Sequence, residues 1–259
     1  MKRFLLLITG IFIAGVCLAQ RPAQGPLSNK RYTPQKLGYK LFWEDQFNGD
    51  KLDTSKWSIR GKGARALGYV SPDAMKVENG YLKLFALKKN DSMLISAVGS
   101  QDHFMTKYGY FECRAQLQKS SGVWGAFWLQ SPQLSNGENS PSLYGAEIDI
   151  MEFFKKLGTD IVSHNVWWGP YGPKQHTTHG MQSYLKGVSK GFHKFALEWT
   201  PEKYIFYIDG YKFYEVNTGI SRNKQYVILS MEIPHDAKDL VGTVFPDVFV
   251  IDYIKVYKK

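Results

Sequence analysis

The stretch Tyr108-Gly-Tyr-Phe-Glu-Cys-Arg-Ala-Gln-Leu117 alternates in polarity with a period of two residues. Its odd positions, from Gly109 to Leu117, are small or apolar, whereas its even positions carry tyrosine, glutamate, arginine and glutamine. Because successive side chains of a strand point to opposite faces, this pattern predicts a strand with one dry face and one wet face. Cys113 lies on the dry face, where it is expected to pack as a small core hydrophobe.

The same alternation recurs along the chain, in residues 77–87, 192–199 and 248–257. Asp209-Gly210 separates two further runs of this kind. The dipeptide favours a two-residue hairpin turn, because both residues tolerate a positive φ. No stretch of twelve residues shows a clear helical period. The sequence therefore predicts an all-β protein of two packed antiparallel sheets in one domain.

The N-terminus has the features of an export signal. Lys2 and Arg3 precede an apolar run that ends at Val16, and Cys17-Leu18-Ala19 supplies small residues for cleavage. Residues 1–19 are therefore predicted to be a signal peptide, and the protein to be exported to the periplasm or the extracellular space. Lipoprotein anchoring at Cys17 is disfavoured, because a bulky valine precedes the cysteine. Residues 20–38 are polar, proline-containing and aperiodic, which predicts a flexible tether.

The composition argues against a disulfide-stabilised fold, a nucleic-acid-binding protein and a membrane-spanning protein. Residues 1–19 hold two of the 33 Lys and Arg and none of the 23 Asp and Glu, so the remaining 240 residues carry a formal charge of +8. Only Cys113 is left among them, so a large hydrophobic core must hold the fold without an internal disulfide. No dense Lys/Arg cluster argues for a nucleic-acid partner, and no later apolar run is long enough to span a membrane.

Three acidic residues lie close together in Gly145-Ala-Glu-Ile-Asp-Ile-Met-Glu-Phe-Phe154. Glu147 and Asp149 share a strand face because they are two residues apart. Strict alternation would send Glu152 into the core, where an unpaired charge is costly. One extra residue, a β-bulge near Ile150-Met151, returns Glu152 to the face of the other two acids. Bulges are common beside active sites, because they re-aim a side chain.

Paired carboxylates of this kind suit the hydrolysis of a glycosidic bond. A retaining enzyme needs its two carboxyl groups about 5–5.5 Å apart, whereas an inverting enzyme needs about 6.5–9.5 Å. Repulsion at the shorter separation keeps one carboxyl protonated near neutral pH, as a general acid requires. The alternative interpretation is an ordinary wet strand face that happens to carry three acids.

The spacing Glu-x-Asp-x-x-Glu resembles the signature of the bulged subgroup of glycoside hydrolase family 16. Further segments that look like strands of this family are 42–48, 122–128, 192–201, 205–210 and 251–257. The resemblance covers roughly residues 39–259, which it identifies as a catalytic domain. It implies a concanavalin A-like β-jelly-roll sandwich of two antiparallel sheets, whose concave groove holds a β-linked polysaccharide. It also implies Glu147 as nucleophile, Asp149 as its hydrogen-bonding helper and Glu152 as general acid/base.

Aromatic residues near the acids are candidates for sugar binding. Trp124 and Trp128 share a strand face and are predicted to form a platform for pyranose rings. In His164-Asn-Val-Trp-Trp168 one tryptophan can face the groove and the other the core; Trp168 and His164 are the candidates here, with a structural histidine as the alternative for His164. Glu232 joins the candidates if its strand faces the groove. Residues 169–180, rich in Gly, Pro and His, are expected to wall the groove.

The resemblance implies a structural calcium ion on the convex face. Glu44, the carbonyl of Gly80 and Asp252 match the family's ligand positions, and hard oxygen ligands suit calcium. The alternative is that Asp252 pairs with a lysine. The chemistry itself is expected to require no cofactor.

Two departures from the family bear on the substrate. Glucanases of the bulged subgroup commonly read Trp-Pro-Ala where this chain has Trp124-Gly125-Ala126, and Asn with a Gly-Gly pair where it has residues 229–234. The prediction is a secreted, monomeric, retaining endo-glycosidase for a β-1,3- or β-1,3/1,4-glucan. Alternatives are an endo-hydrolase of a β-galactan such as agar, porphyran or carrageenan, a transglycosylase, and a non-catalytic lectin-like sandwich.

Overall fold

The computed structural model describes residues 22–136, 139–178 and 180–259, so the predicted signal peptide with Cys17 lies outside the described residues. In chain order, the strands are β1 (Lys40–Asp45), β2 (Ser58–Ile59), β3 (Gly63–Arg65), β4 (Gly68–Val70), β5 (Met75–Glu78), β6 (Tyr81–Lys89), β7 (Ser92–Ile95), β8 (Ala97–Gly99), β9 (Gly109–Gln116), β10 (Trp124–Gln130), β11 (Glu147–Glu152), β12 (Ile161–Trp168), β13 (His176–Thr177), β14 (Met181–Tyr184), β15 (Phe192–Trp199), β16 (Tyr204–Ile208), β17 (Tyr211–Val216), β18 (Tyr226–Glu232) and β19 (Asp247–Lys258). A short helix α1 covers Pro141–Tyr144, and 3₁₀ turns cover Pro72–Ala74, Leu134–Asn136, Lys155–Leu157 and Ala237–Leu240. No helix in these described ranges is both long and apolar enough to cross a membrane.

The strands form two sheets, which confirms the predicted all-β class. The groove sheet has the order β13-β12-β11-β10-β18-β8-β2, with β14 also paired to β12. The back sheet has the order β17-β16-β15-β9-β19-β6-β7-β4-β3, with β1 on β19 and β5 on β6. The pairings are antiparallel apart from that of β4 with β7. The catalytic candidates of β11 therefore lie in the middle of the groove sheet, flanked by β10 and β12.

The core lies between the two sheets, and the two faces of β9 differ in how well they match the predicted pattern. Phe111, Cys113 and Ala115 are fully buried, as the alternation predicts. The other face is only partly wet: Arg114 and Gln116 are half-buried, whereas Tyr110 is only 1% exposed and Glu112 only 6%. Tyr110 belongs to a second apolar cluster on the outside of the back sheet, made of Tyr39, Tyr110, Ala196, Ile205, Tyr207 and Tyr257.

Residues 22–38 cover part of this second cluster. The N–H of Gln24 donates to the carbonyl of Gln182 at 2.7 Å, and the N–H of Tyr32 donates to the carbonyl of Gly210 at 2.8 Å. Tyr32 and Leu37 pack against the cluster itself. These residues are therefore part of the folded domain rather than a flexible tether. The sequence does not predict this packing, because main-chain hydrogen bonds to a neighbouring strand require no side-chain periodicity.

Two local features of the fold, a hairpin turn and a close contact between the sheets, depend on glycine residues. Asp209 and Gly210 join β16 to β17 with φ angles of 51° and 79°, which confirms the predicted hairpin turn. At Gly125 of β10, a Cβ would lie 2.6 Å from Cγ of Phe249 in the back sheet. This contact gives a steric reason for glycine in the segment Trp124-Gly125-Ala126, since any side chain there would displace the Phe249 ring.

Candidate active site

The predicted β-bulge lies in β11. Against β10, Asp149 is opposite Trp128 but Met151 is opposite Phe127, so Ile150 is an extra residue without a partner. Against β12, the register also shifts between Asp149 and Glu152. Ile150 and Met151 are both buried in the core. The bulge therefore brings Glu152 to the same face as Glu147 and Asp149.

The three acids line a cleft of about 600 Å³ on the groove sheet. Aromatic and ionisable side chains make up half of the rest of its wall. These residues are Arg60, Arg65, Trp124, Trp128, Tyr171, Tyr226, Glu232 and His235. The cleft thus combines ring faces, which suit the apolar C–H surface of a sugar, with carboxylates and guanidinium groups that suit its hydroxyls.

Glu147 receives hydrogen bonds from two side chains. The Nε2 of Gln130 donates to its Oε2 at 2.9 Å, and the hydroxyl of Tyr171 donates to the same oxygen. Burial raises the pKa of Glu147, while these two donors and the positive charge of Arg60 act in the opposite direction. The environment of Glu147 thus supplies the donors that favour its anionic form.

Asp149 lies between the other two acids on the same face of β11. Its side chain is only 5% exposed, and its Oδ2 accepts a hydrogen bond of 2.9 Å from the indole of Trp167. Burial raises the pKa of Asp149 well above its ordinary value, and the charges of Glu152 and Glu147 raise it further. The ionisation of Asp149 therefore depends on the charge state of both neighbouring glutamates.

Glu152 has the environment of a general acid. Burial, and then the charge of Glu147, raise its pKa to about 8, although hydrogen bonds from Trp124 and Asn165 oppose this shift. The indole Nε1 of Trp124 donates to Oε1 of Glu152 at 3.1 Å. A carboxyl group with this pKa holds its proton at neutral pH and has it available for a leaving group.

Trp124 and Trp128 both line the cleft, but their ring faces are in different situations. Trp124 is partly exposed and packs against Phe154, with ring centroids 5.0 Å apart. Trp128 is 7% exposed, its Nε1 donates to Ser230, and the guanidinium of Arg60 lies 4.6 Å from its ring centroid. The predicted sugar platform is therefore open at Trp124, whereas Arg60 covers a face of Trp128.

His164 and Trp168 do not face the cleft, which corrects two predictions. His164 is 1% exposed and lies between the sheets, with its ring 5.1 Å from that of Phe206. Trp168 packs on the core and stacks on His176 at 5.6 Å. Trp167 faces the acids instead. The register of β12 against the bulged strand β11 decides which of the two tryptophans points outward. The residues of β12 alone do not predict that register.

Glu232 lines the cleft beside Trp124, to which it is paired across β10 and β18. Its carboxylate forms a two-pronged salt bridge with Arg65, with distances of 2.6 and 2.9 Å to Nε and Nη2. The next residue inward, Met231, is fully buried. Any contact of Glu232 with a sugar is therefore made by a carboxylate that Arg65 already holds in place.

Two of the three residues predicted to bind calcium, Glu44 and Asp252, have other partners in the structure. The carboxylate of Asp252 accepts a hydrogen bond from Arg114, while that of Glu44 accepts one of 3.0 Å from Gln46 and lies 3.7 Å from Nζ of Lys255. No group of three or more His, Cys, Asp or Glu suited to a metal occurs among the described residues. This arrangement does not fit a calcium ion, because cations already occupy the carboxylates. A structural calcium stays a prediction from the sequence alone.

Several cleft residues were not among the predicted ones. Gln130 could have been found by continuing the alternation of β10 from Trp124 through Trp128, because it shares their face. Tyr171 lies in the loop after β12 that was expected to wall the groove, but no pattern singles out its hydroxyl. Arg60 and Arg65 come from distant parts of the chain, and only the tertiary fold brings them to the acids.

Comparisons with known proteins agree with this geometry. The sequence model described as "Glycosyl hydrolases family 16" matches residues 65–241. The crystal structure of a laminarinase from Flavobacterium sp. UMI-01 aligns with a TM-score of 0.70 and 28% identity, over 85% of this chain and 100% of the other. The chain is 25% identical to glucan endo-1,3-beta-glucosidase A1 of Niallia circulans, over 87% of its own length but only 39% of that relative's. It is 27% identical to beta-porphyranase B of Zobellia galactanivorans, over 81% of this chain and 78% of the other.

Proposed function

The chain belongs to glycosyl hydrolase family 16, and we propose that it is a secreted, retaining endo-glycosidase that hydrolyses internal β-glycosidic bonds of a polysaccharide. One observation carries the proposal: two carboxyl groups on the same face of β11 have different partners, and the charge of one raises the pKa of the other. Glu147 receives hydrogen bonds from Gln130 and Tyr171, while Glu152 has its pKa raised to about 8. A retaining mechanism needs this difference between a carboxylate nucleophile and a protonated acid.

In the first step, the Glu147 carboxylate attacks the anomeric carbon of the bound sugar. Glu152 gives its proton to the glycosidic oxygen as the bond from that oxygen to the anomeric carbon breaks. The products are a covalent glycosyl-enzyme ester at Glu147 and a free chain end. Proton transfer of this kind contributes about 10²–10⁴-fold in rate.

In the second step, the Glu152 carboxylate takes a proton from water, whose oxygen attacks the same anomeric carbon and releases Glu147. Two inversions at one carbon leave the configuration unchanged. The helper role of Asp149 is to donate a hydrogen bond from its protonated form to a neighbouring carboxylate, which its raised pKa supports. If a sugar hydroxyl takes the place of water, the same intermediate yields transglycosylation.

A β-1,3- or β-1,3/1,4-glucan is the proposed substrate, because the laminarinase structure and the endo-1,3-beta-glucosidase are among the similar proteins. A β-galactan is the second candidate. Arg60 and Arg65 line the cleft, and a guanidinium group is a good partner for a sulfate ester. The similarity to beta-porphyranase B supports this candidate as well.

The test is the release of reducing ends by the purified protein on laminarin, mixed-linkage glucan, agarose, porphyran and carrageenan. The Glu147→Gln variant serves as the matched control, because it keeps the shape of the side chain and removes the nucleophile. We expect activity in the wild type, retention of the anomeric configuration by NMR, and a loss of at least about 10³-fold in the variant. Inversion, or normal turnover in the variant, would show the mechanism to be wrong, and binding without release would favour a lectin.

Export depends on residues 1–19 acting as a signal peptide. N-terminal sequencing of protein collected from outside the cytoplasm tests this part of the proposal. A mature chain that begins at Gln20 supports it, whereas a chain that retains Met1, or one that begins at a lipid-modified Cys17, contradicts it.

A further inference from the structure

The main-chain carbonyl of the extra residue in the β-bulge accepts a hydrogen bond from a buried histidine. Ile150 has no partner residue in either neighbouring strand. Its carbonyl oxygen lies 2.6 Å from Nδ1 of His164 on β12. A buried carbonyl needs a hydrogen-bond donor, and this imidazole provides one.

The other ring nitrogen and the ring itself also have contacts that fix their position. Its Nε2 lies 2.7 Å from Oγ of Ser183 on β14, and its ring packs against Phe206 and Tyr214 of the back sheet. Burial lowers the pKa of His164 to about 4, so the ring is neutral in the ordinary working range. Because a carbonyl only accepts, Nδ1 carries the proton, and Nε2 accepts from the Ser183 hydroxyl.

The bulge decides where the side chain of Glu152 points. Without the extra residue, alternation along β11 would turn Glu152 into the core and Met151 into the cleft. The position of the Ile150 peptide therefore sets how Glu152 faces Glu147. His164 lies on the core side of β12 and does not line the cleft, so any effect it has on catalysis is indirect.

We propose that His164 is a positioning residue for catalysis: its Nδ1–H holds the Ile150 carbonyl, keeps the bulge in one geometry and so aims Glu152 at the glycosidic oxygen. This inference rests on the proposed roles of Glu147 and Glu152. This positioning role differs from a general stabilising role, because it depends on one ring nitrogen, Nδ1.

Two substitutions separate the two nitrogens. In His164→Asn the amide nitrogen takes the place of Nδ1, so it still donates to Ile150, while the contact with Ser183 is lost. In His164→Gln the amide reaches the place of Nε2, so the contact with Ser183 is kept and the donor to Ile150 is lost. Ser183→Ala tests the Nε2 contact alone. Val166→Ala, at the next fully buried core position of β12, is the control for a loosened core.

The variants are compared by kcat and KM on the polysaccharide that the wild type hydrolyses, and by NMR titration of the Glu152 carboxyl group. For His164→Gln we expect kcat to fall about 10²-fold with KM little changed, as for a misplaced catalytic group, and the pKa of Glu152 to fall as it loses burial and the neighbouring charge. For His164→Asn, Ser183→Ala and Val166→Ala we expect kcat within about threefold of wild type and an unchanged pKa.

Other results overturn the inference. Equal losses of kcat in His164→Asn and His164→Gln would mean that the donor to Ile150 is not what matters. Wild-type kcat and an unchanged Glu152 pKa in folded His164→Gln would mean the same. If His164→Gln does not fold, a low kcat in folded His164→Asn still contradicts the inference. An inactive wild type would contradict the proposed function instead, and the NMR titration would still decide the role of His164.

Discussion

The indole of Trp124 donates a hydrogen bond to Glu152, with 3.1 Å between Nε1 and Oε1. The same ring is partly exposed in the cleft, where it is available to a sugar. Trp124 therefore joins substrate binding to the ionisation of the proposed acid. Because an N–H donor favours the charged carboxylate, this contact holds the pKa of Glu152 lower than burial and Glu147 alone would set it.

Trp124→Phe is expected to move the basic limb of the pH profile of kcat/KM to higher pH. The substitution keeps an aromatic ring but removes the donor, so the pKa of Glu152 rises above about 8 and the acid stays protonated further into the alkaline range. Trp128→Phe is the matched control, since the Trp128 indole donates to Ser230 and not to an acid. An identical shift in both variants would contradict this assignment.

Tyr171→Phe is expected to move the acidic limb to higher pH. The Tyr171 hydroxyl lowers the pKa of Glu147, so its removal means that a higher pH is needed to form the nucleophilic carboxylate. The pH dependence of kcat/KM measures this shift. Tyr184→Phe, at an exposed tyrosine outside the cleft, is the control. An acidic limb that stays in place would show that Tyr171 does not set the ionisation of Glu147.

The buried neutral His164 is expected to make the fold less stable in acid. Its pKa is about 4 in the folded protein and 6.5 as the ordinary value, so between these pH values the unfolded chain takes up a proton and the folded chain does not. Stability is fully present above pH 6.5 and is lost as the pH falls towards 4, by about 3 kcal/mol at 1.36 kcal/mol per pKa unit.

Urea unfolding of the wild type and His164→Asn at pH 7 and pH 4 isolates this contribution, because the cleft carboxylates titrate in both proteins. The wild type should lose about 3 kcal/mol more than the variant over this range. Equal losses in the two proteins would show that His164 is not held neutral.

Gly125→Ala is expected to lower the free energy of unfolding by about 1–3 kcal/mol. Its Cβ would lie 2.6 Å from Cγ of Phe249, which is fully buried. Chemical denaturation measures the change. Gly25→Ala is the control, since a Cβ at Gly25 has no atom within 4 Å. Equal stability of Gly125→Ala and the wild type would mean that the sheets separate without cost at this point.

Several predictions that depended on local alternation agree with the structure. The all-β class, the buried Cys113, the Asp209-Gly210 hairpin and the bulge near Ile150 all follow from the period of two and from turn chemistry. The family resemblance and the jelly-roll sandwich that it implied are confirmed as well. These features are readable in sequence because each depends on neighbours within a few residues.

Predictions that depended on distant contacts were wrong or incomplete. The sequence predicts Trp168 as the tryptophan that faces the sugar, but Trp167 faces the acids, because the face of each β12 residue depends on the pairing of β12 with a bulged strand. Tyr110 was expected to be wet, but residues from the N-terminal segment and the back sheet cover it. His164 was a candidate sugar ligand, yet it holds the carbonyl of Ile150.

The sequence by itself determined the strands, the bulge and the three acids, since strand geometry fixes the face of every side chain relative to its neighbours along the chain. Only the tertiary structure decided what surrounds those acids. Arg60 over Trp128, and Tyr171 and Gln130 on Glu147, are contacts between segments far apart in sequence. The pKa of each acid depends on burial and on such neighbours, so the division between nucleophile and acid is a property of the folded chain.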